Sequence, residues 1–268
     1  MNTVPAPIRV EHQGAIDILT LDRAETLNAV DLGLAQALHD YFAGMQNKHS
    51  TRVIILRAEG RAFSAGADLN SPAFVPPGPG RAQRQLDIQR LYSGIVRLMR
   101  SCPQPIIALA QGAACGAGFS LLLASDVRYA TPQAKMNAAY LRVGLGGCDM
   151  GSGYLLSRLV GLSVASEYLL SARFITAERA KAVGLVSDIV EPQQLLETGL
   201  ELANDMLRAS PMGLRMTKET LNAVIDAGSL EIGLTLEDRQ QVILLDTDDH
   251  REAVAAFRER REPQYSDS

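Results

Sequence analysis

Short apolar runs alternate along this chain with longer stretches that have helical spacing. The runs over residues 8–10, 16–21, 53–56 and 106–109 are typical of buried strands, and Gln13-Gly14 predicts a turn between the first two. Apolar residues recur at helical spacing after Asp31 and again over residues 84–99. Strands that alternate with helices in this way predict an α/β fold.

The last quarter of the chain changes to an almost wholly helical pattern. We expect helices over residues 195–207, 211–224, 230–245 and 249–261. This change predicts a core over residues 1–200 and a helical C-terminal subdomain over residues 201–268. The apolar faces of these helices could serve packing within the chain or contacts between subunits.

A segment rich in proline and glycine lies between the predicted strand over residues 53–56 and the predicted helix over residues 84–99. Residues 71–82 contain four prolines and two glycines, so we expect an irregular surface loop there. Two interpretations stay open for this loop, a tolerated insertion and a flap beside a substrate.

Composition narrows the classes of function. The chain has 268 residues, 47% of them hydrophobic, and a net charge of -4, which is unlike the concentrated positive charge of nucleic-acid-binding proteins. The three cysteines are widely spaced, no metal-ligand spacing occurs, and the N-terminal residues lack the pattern of a signal peptide. We therefore expect a cytoplasmic protein without a metal. Residues 105–124 are nearly continuously apolar, but Gln111 and the glycine-rich middle favour a strand, a turn and a helix over a membrane span.

Two glycine-containing turns carry the candidate chemistry. They span residues 63–68 and 112–118, and each follows an apolar strand. A helix that begins near Gly118 leaves the N–H of Ala117 without a partner inside the helix, and the first turn can expose the N–H of Ala67 in the same way. Two such donors aimed at one carbonyl oxygen form an oxyanion hole, which stabilises the charge that develops in acyl-group chemistry.

The order of these motifs resembles the enoyl-CoA hydratase/isomerase (crotonase) superfamily. The similarity is carried by five stretches in sequence, which are residues 21–29, 61–69, 105–118, 177–186 and 253–265. The resemblance implies a crotonase-like spiral of ββα units that binds acyl-CoA thioesters, with coenzyme A entering as part of the substrate and no separate cofactor. It also implies a homotrimer or a dimer of trimers.

The same resemblance assigns roles to individual residues. It places the thioester carbonyl between the N–H groups of Ala67 and Ala117. It implies that the following residues line the coenzyme A and acyl channel: Leu27, Ala65, Gly66, Asp68, Leu69, Gly116, Ser120 and Tyr140. Asp68 is also expected to stabilise its own turn.

The chain departs from the family pattern at the catalytic carboxylates. The positions that match the two glutamates of the hydratases are Ser120 and Tyr140, and neither is a carboxylate base. Asp149 is a replacement candidate, because it lies in a glycine-rich, apolar segment where the resemblance places the acyl end of the pocket. Its alternative role is to cap the helix that follows it.

Three functions remain open on the sequence alone. In the first, Ala67 and Ala117 stabilise a thioester enolate while Asp149 transfers a proton, during hydration, dehydration or a double-bond shift. In the second, Asp149 is the nucleophile of an acyl-CoA hydrolase or dehalogenase, although Leu141 replaces the tryptophan of the dehalogenases. In the third, the protein binds acyl-CoA without catalysis.

Overall fold

The computed structural model describes residues 6–71 and 78–268. The described strands are β1 (Ile8–Gln13), β2 (Ile16–Leu21), β3 (Val53–Ala58), β4 (Ile106–Ala110), β5 (Ala113–Cys115), β6 (Val127–Ala130), β7 (Lys135–Asn137), β8 (Ile175–Thr176) and β9 (Asp188–Ile189). The described helices are α1 (Leu32–Gly44), α2 (Arg81–Ser101), α3 (Ala117–Ala124), α4 (Ser152–Val160), α5 (Leu162–Ser171), α6 (Ala177–Ala182), α7 (Leu195–Leu207), α8 (Pro211–Val224), α9 (Leu230–Leu245) and α10 (Asp248–Glu259). A 3₁₀ segment covers Ala139–Val143.

The strands of the described residues form two sheets. The larger sheet has the order β1-β2-β3-β4-β6-β9, and it is parallel apart from the β1–β2 hairpin. The smaller sheet has the order β5-β7-β8. An isolated parallel bridge between Ser64 and Ala114 continues the smaller sheet toward the chain segment after β3. The predicted α/β spiral of ββα units is confirmed.

Helices cover both faces of the larger sheet, which explains why every residue of β2 is buried. Leu19 and Leu21 point to one face and pack in a cluster with α1, α2 and α3. Ile16 and Ile18 point to the other face and pack in a second cluster with α7. Because successive side chains of a strand alternate between faces, a strand covered on both faces buries all of its side chains, here including the polar Asp17 and Thr20.

Helix boundaries follow local capping. The Asp31 carboxylate accepts the N–H of Leu34 and starts α1 at the position that the sequence indicated. The predictions for α7, α8 and α9 match the observed bounds. The sequence predicts the last helix over residues 249–261, but α10 begins at Asp248, capped by Thr247, and ends at Glu259 because Arg260 adopts the left-handed conformation that closes a helix.

Other predicted boundaries need adjustment. The apolar segment over residues 105–124 is divided into β4, β5 and α3, and no helix in the described part of the chain is long and apolar enough to cross a membrane. Of the loop predicted over residues 71–82, residues 72–77 lie outside the described part, and residues 81 and 82 already belong to α2. The division between residues 200 and 201 falls inside α7, and it stays a prediction.

A buried carboxylate joins the first hairpin to α1 and the segment after it. Asp17 is 2% exposed, and it accepts hydrogen bonds from Tyr41 and Thr51 at 3.0 Å and from Lys48 at 3.1 Å, with His12 at 2.7 Å. Burial alone would raise the pKa of Asp17, but these four hydrogen bonds together hold it below its ordinary value.

A buried cation joins α8 to the core. The Lys218 ammonium lies 2.9 Å from the Asp126 carboxylate and donates to the carbonyls of Met99 at 3.1 Å and Gln104 at 2.8 Å. These contacts attach the C-terminal helices to the end of α2 and to the start of β4.

Candidate active site

The two glycine-containing turns meet through main-chain hydrogen bonds. The N–H of Ser64 donates to the carbonyl of Ala113 at 3.0 Å, and the N–H of Cys115 donates to the carbonyl of Ser64 at 2.9 Å. The first turn therefore runs beside β5 as an extra strand of the smaller sheet. This pairing places Ala67 and Ala117 on neighbouring segments.

Glycine is required where the two turns approach each other. Gly66 has a φ of +95°, and a Cβ atom there would lie 2.8 Å from the carbonyl oxygen of Cys115 and 3.7 Å from the amide nitrogen of Ala117. A Cβ atom on Gly118 would lie 2.5 Å from the Cβ of Ser64. Both contacts are too short for any residue larger than glycine, so the sequence allows an approach that side chains would prevent.

The two candidate amides have no partner within the described residues. Ala117 is the first residue of α3, so its N–H has no intrahelical acceptor and lies at the positive end of the helix dipole. On the first turn, the carbonyl of Gly66 and the N–H of Asp68 both bond to Val30, which leaves the N–H of Ala67 outside that bridge. Neither amide donates to any other described atom. Both N–H groups are therefore available to a ligand.

A cavity of about 550 Å³ opens beside these amides. Its walls come from both turns, from α2 and from the segment between β7 and α4. The lining residues are Ala65, Gly66, Ala67, Leu69, Gln85, Leu86, Ile88, Gln89, Tyr92, Gly116, Ala117, Ala139, Tyr140, Val143, Leu145, Asp149 and Met150. Most of these side chains are apolar, and the volume is within the range of small-molecule sites.

Asp149 is the one carboxylate among the described residues that line this cavity. Its Oδ1 accepts the N–H of Met150 at 2.7 Å and the side-chain amide of Gln89 on α2. Its Oδ2 accepts no hydrogen bond from the described part of the chain. The alternative in which Asp149 caps α4 is wrong, because Gly151 occupies the N-cap position and no side chain caps that helix.

Ser120 and Tyr140 form a buried pair next to Asp149. The Tyr140 hydroxyl lies 2.7 Å from the Ser120 hydroxyl, which also donates to the backbone carbonyl of Asp149 at 3.3 Å. Burial raises the pKa of the Tyr140 phenol, the hydrogen bond to Ser120 lowers it, and the charge of Asp149 raises it further. The net direction is upward, so the phenol stays protonated at neutral pH and cannot act as a base.

Eight of the predicted site residues line the cavity together. They are Ala65, Gly66, Ala67, Leu69, Gly116, Ala117, Tyr140 and Asp149. The other three predicted residues do not line it. The carbonyl of Leu27 accepts the N–H of Ala65 at 2.9 Å, and its N–H donates to the carbonyl of Ala24. Asp68 accepts the N–H of Asn70 within its own loop, and the buried Ser120 hydroxyl contacts the hydroxyl of Tyr140.

The wall that α2 contributes to the cavity was not predicted from the sequence. Gln85, Leu86, Ile88, Gln89 and Tyr92 all face the cavity. Their helical spacing is visible in the sequence, but it identifies a common face without indicating what that face contacts. Among residues 6–71 and 78–268, no three His, Cys, Asp or Glu side chains are grouped so that they could hold a metal ion.

Comparison with known proteins places the chain in a family. The enoyl-CoA hydratase/isomerase family model matches residues 11–268. The chain therefore belongs to the enoyl-CoA hydratase/isomerase family, and it is an enzyme of that family's acyl-CoA type.

Individual relatives carry both names of the family. The probable enoyl-CoA hydratase EchA12 of Mycobacterium tuberculosis is 36% identical, over 97% of this chain and 93% of its own length. The 1,2-epoxyphenylacetyl-CoA isomerase of Escherichia coli is 31% identical, over 92% of this chain and 94% of its own length. The solved structure of an enoyl-CoA hydratase from Bacillus anthracis superimposes with a TM-score of 0.91 at 29% identity, covering 98% of this chain and 100% of that chain.

Proposed function

We propose that this enzyme shifts the double bond of an enoyl-CoA thioester, with Asp149 as the group that moves the proton. The observation that carries the proposal is the composition of the cavity wall. Asp149 is the one carboxylate there within the described residues, and it lies in the same cavity as the unpartnered amides of Ala67 and Ala117. One base and one oxyanion hole suffice for a double-bond shift.

The reaction proceeds through an enolate. Asp149 removes a proton from the carbon next to the thioester carbonyl, and the electron pair of that C–H bond moves toward the carbonyl oxygen. The N–H groups of Ala67 and Ala117 hold the resulting oxyanion. In a 3-enoyl thioester, the protonated Asp149 then returns the proton to the γ carbon, two carbons further along the chain, and the double bond moves from C3–C4 to C2–C3 without a net change in composition. A 2-enoyl thioester follows the same steps in reverse.

The side chains of the cavity wall support hydration less well than a double-bond shift. Adding water across a double bond requires one group to activate the water and another to deliver a proton. The family resemblance assigns these tasks to glutamates at the positions of Ser120 and Tyr140, and here these two side chains bond to each other. The relatives are named as hydratases and as an isomerase, so hydration stays the competing reaction. The assay described next therefore measures hydrated products as well as shifted double bonds.

The test uses 2-enoyl-CoA and 3-enoyl-CoA substrates of matched chain length, with products separated by chromatography. Asp149→Asn should lower kcat by a factor of about 10² to 10⁴, the usual contribution of a general base. Binding of the saturated acyl-CoA should change by less than about threefold, because the amide is nearly isosteric with the carboxylate. The control is Asp87→Asn, which alters an exposed carboxylate on α2 outside the cavity wall.

The outcomes separate the three functions. Unchanged turnover by Asp149→Asn eliminates this residue from the mechanism. A covalent adduct on Asp149, found by mass spectrometry after a rapid quench, favours the hydrolase or dehalogenase alternative. Binding without any product from either substrate favours a non-catalytic acyl-CoA-binding protein.

We also propose a cytoplasmic homotrimer or dimer of trimers, with coenzyme A entering only as part of the substrate. Large apolar side chains exposed on the C-terminal helices support this assembly, since Leu221, Leu230 and Val242 are 63%, 78% and 66% exposed in the single chain. Light scattering of the purified protein should give the mass of three or six chains, and a monomer would contradict the assembly.

A further inference from the structure

The two oxygens of Asp149 have different surroundings. Oδ1 accepts two hydrogen bonds, from the backbone N–H of Met150 at 2.7 Å and from the side-chain amide of Gln89. Oδ2 has no donor within the described residues. A carboxylate held by one oxygen leaves the other as the site with free lone pairs for proton transfer.

The backbone next to Asp149 is strained in a way that supports this arrangement. Met150 is 4% exposed and has a φ of +44°, a left-handed conformation that residues other than glycine rarely adopt. In this conformation its N–H donates to the carboxylate of the preceding residue. Such strained residues persist only where the surrounding structure fixes them, and they are frequent at functional sites.

Gln89 supplies the contact that the local backbone cannot. It lies on α2, sixty residues away in sequence, and it lines the same cavity as Asp149. Its amide therefore connects one wall of the cavity to the carboxylate on the opposite segment. A neutral amide orients a carboxylate without forming the ion pair that lysine or arginine would form.

We propose that Gln89 is a positioning residue that fixes Asp149 through Oδ1, so that Oδ2 is the oxygen that removes and returns the proton. The inference rests on the proposed function, because it assumes that Asp149 moves the proton. Gln89 itself need not touch the reacting atoms. Its loss should change the rate of the proton-transfer step and leave substrate binding nearly unaltered.

The first test is Gln89→Met, which keeps the length of the side chain and removes the donor. We expect kcat to fall about 10- to 100-fold while KM changes less than about threefold, since small misplacements of a catalytic group cost this much. Gln89→Glu places a second carboxyl group of the same length against Asp149, where like-charge repulsion raises the pKa of the pair, and it should shift the pH profile of kcat as well as lower kcat at neutral pH. The control is Gln83→Met, which removes an exposed glutamine on the same helix that donates to Asp87.

A double-mutant cycle separates positioning from a general structural effect. In an Asp149→Asn background the carboxylate is absent, so adding Gln89→Met should cause no further loss of the residual rate. An equal further loss, a change in KM alone, or wild-type kcat for Gln89→Met would overturn the role of Gln89.

The same cycle distinguishes the two proposals. If the single variant Asp149→Asn loses turnover while the single variant Gln89→Met keeps the wild-type kcat, the positioning role fails and the proposed function stands. If Asp149→Asn retains wild-type turnover, the proposed function itself fails, and the positioning role fails with it.

Discussion

Replacing Gly66 by alanine should disable the oxyanion hole while the protein stays folded. Gly66 precedes Ala67 in the first turn, and its φ of +95° is unfavourable for any residue with a Cβ atom. The new Cβ would lie 2.8 Å from the carbonyl oxygen of Cys115, so one of the two turns must move. Either movement separates the amide of Ala67 from that of Ala117.

The magnitude follows from two separate terms. Forcing a residue with a Cβ into this backbone conformation costs about 1–3 kcal/mol of stability. Losing one oxyanion donor costs about 2.7–4 kcal/mol of transition-state stabilisation, which corresponds to a decrease in kcat of about 10²- to 10³-fold. The catalytic loss should therefore be much larger than the change in stability can explain.

A matched glycine provides the control. Gly14 lies in the turn between β1 and β2 with a φ of +60°, and a Cβ atom there meets nothing within 4 Å. Gly14→Ala should cost about 1–2 kcal/mol of stability from backbone strain and leave kcat unchanged. Steady-state kinetics and urea unfolding of both variants measure the two quantities. If folded Gly66→Ala keeps kcat within threefold of the wild-type value, the assignment of the two amides is wrong.

Three further predictions concern stability, pH and substrate choice. Lys218→Met should lower the free energy of unfolding by about 3–5 kcal/mol in urea titrations, because the Asp126 carboxylate loses an ion-pair partner and two buried carbonyls lose their donor. The pKa of Asp17 is lower in the folded state than its unfolded value near 3.8, so its stabilisation is present above about pH 3.8 and is lost as the pH falls through the folded pKa. Asp17→Asn should therefore be less stable at neutral pH and flatter in its acid unfolding profile, whereas parallel profiles would contradict the network. Finally, the described cavity wall has no Lys, Arg or His, so acyl-CoA substrates that end in a carboxylate should have a kcat/KM at least about 10-fold below neutral ones.

Local patterns in the sequence predict much of the fold. The helices α8 and α9 could be bounded because a capping serine lies at the start of each, and α7 could be bounded from its regular apolar spacing alone, since no side chain caps it. The strand β5 could not be found, since three small residues between glycines have no alternation. Its pairing with β7 depends on residues about twenty positions away, which local patterns do not encode.

The site was only partly readable for the same reason. Gly66 and Gly118 mark close backbone contacts, and glycine in a turn after a strand is a signal that the sequence displays. Gln89 carries no such signal, because its function depends on a contact with Asp149 across the cavity. The capping role considered for Asp149 failed because Met150 and Gly151 both adopt left-handed conformations before α4 begins.

Exchange of the substrate's α-protons with solvent tests the central claim most directly. The enzyme is incubated in D₂O with a saturated acyl-CoA, which can form an enolate but has no double bond to move, and the signal of the protons next to the thioester is followed by NMR. We predict that the wild-type protein exchanges these protons, and that Asp149→Asn and Gly66→Ala both lose at least about 10²-fold of the exchange rate. If Asp149→Asn exchanges these protons at the wild-type rate, Asp149 is not the base. If the wild-type enzyme exchanges no protons of any acyl-CoA that it binds, enolate formation at this site is contradicted.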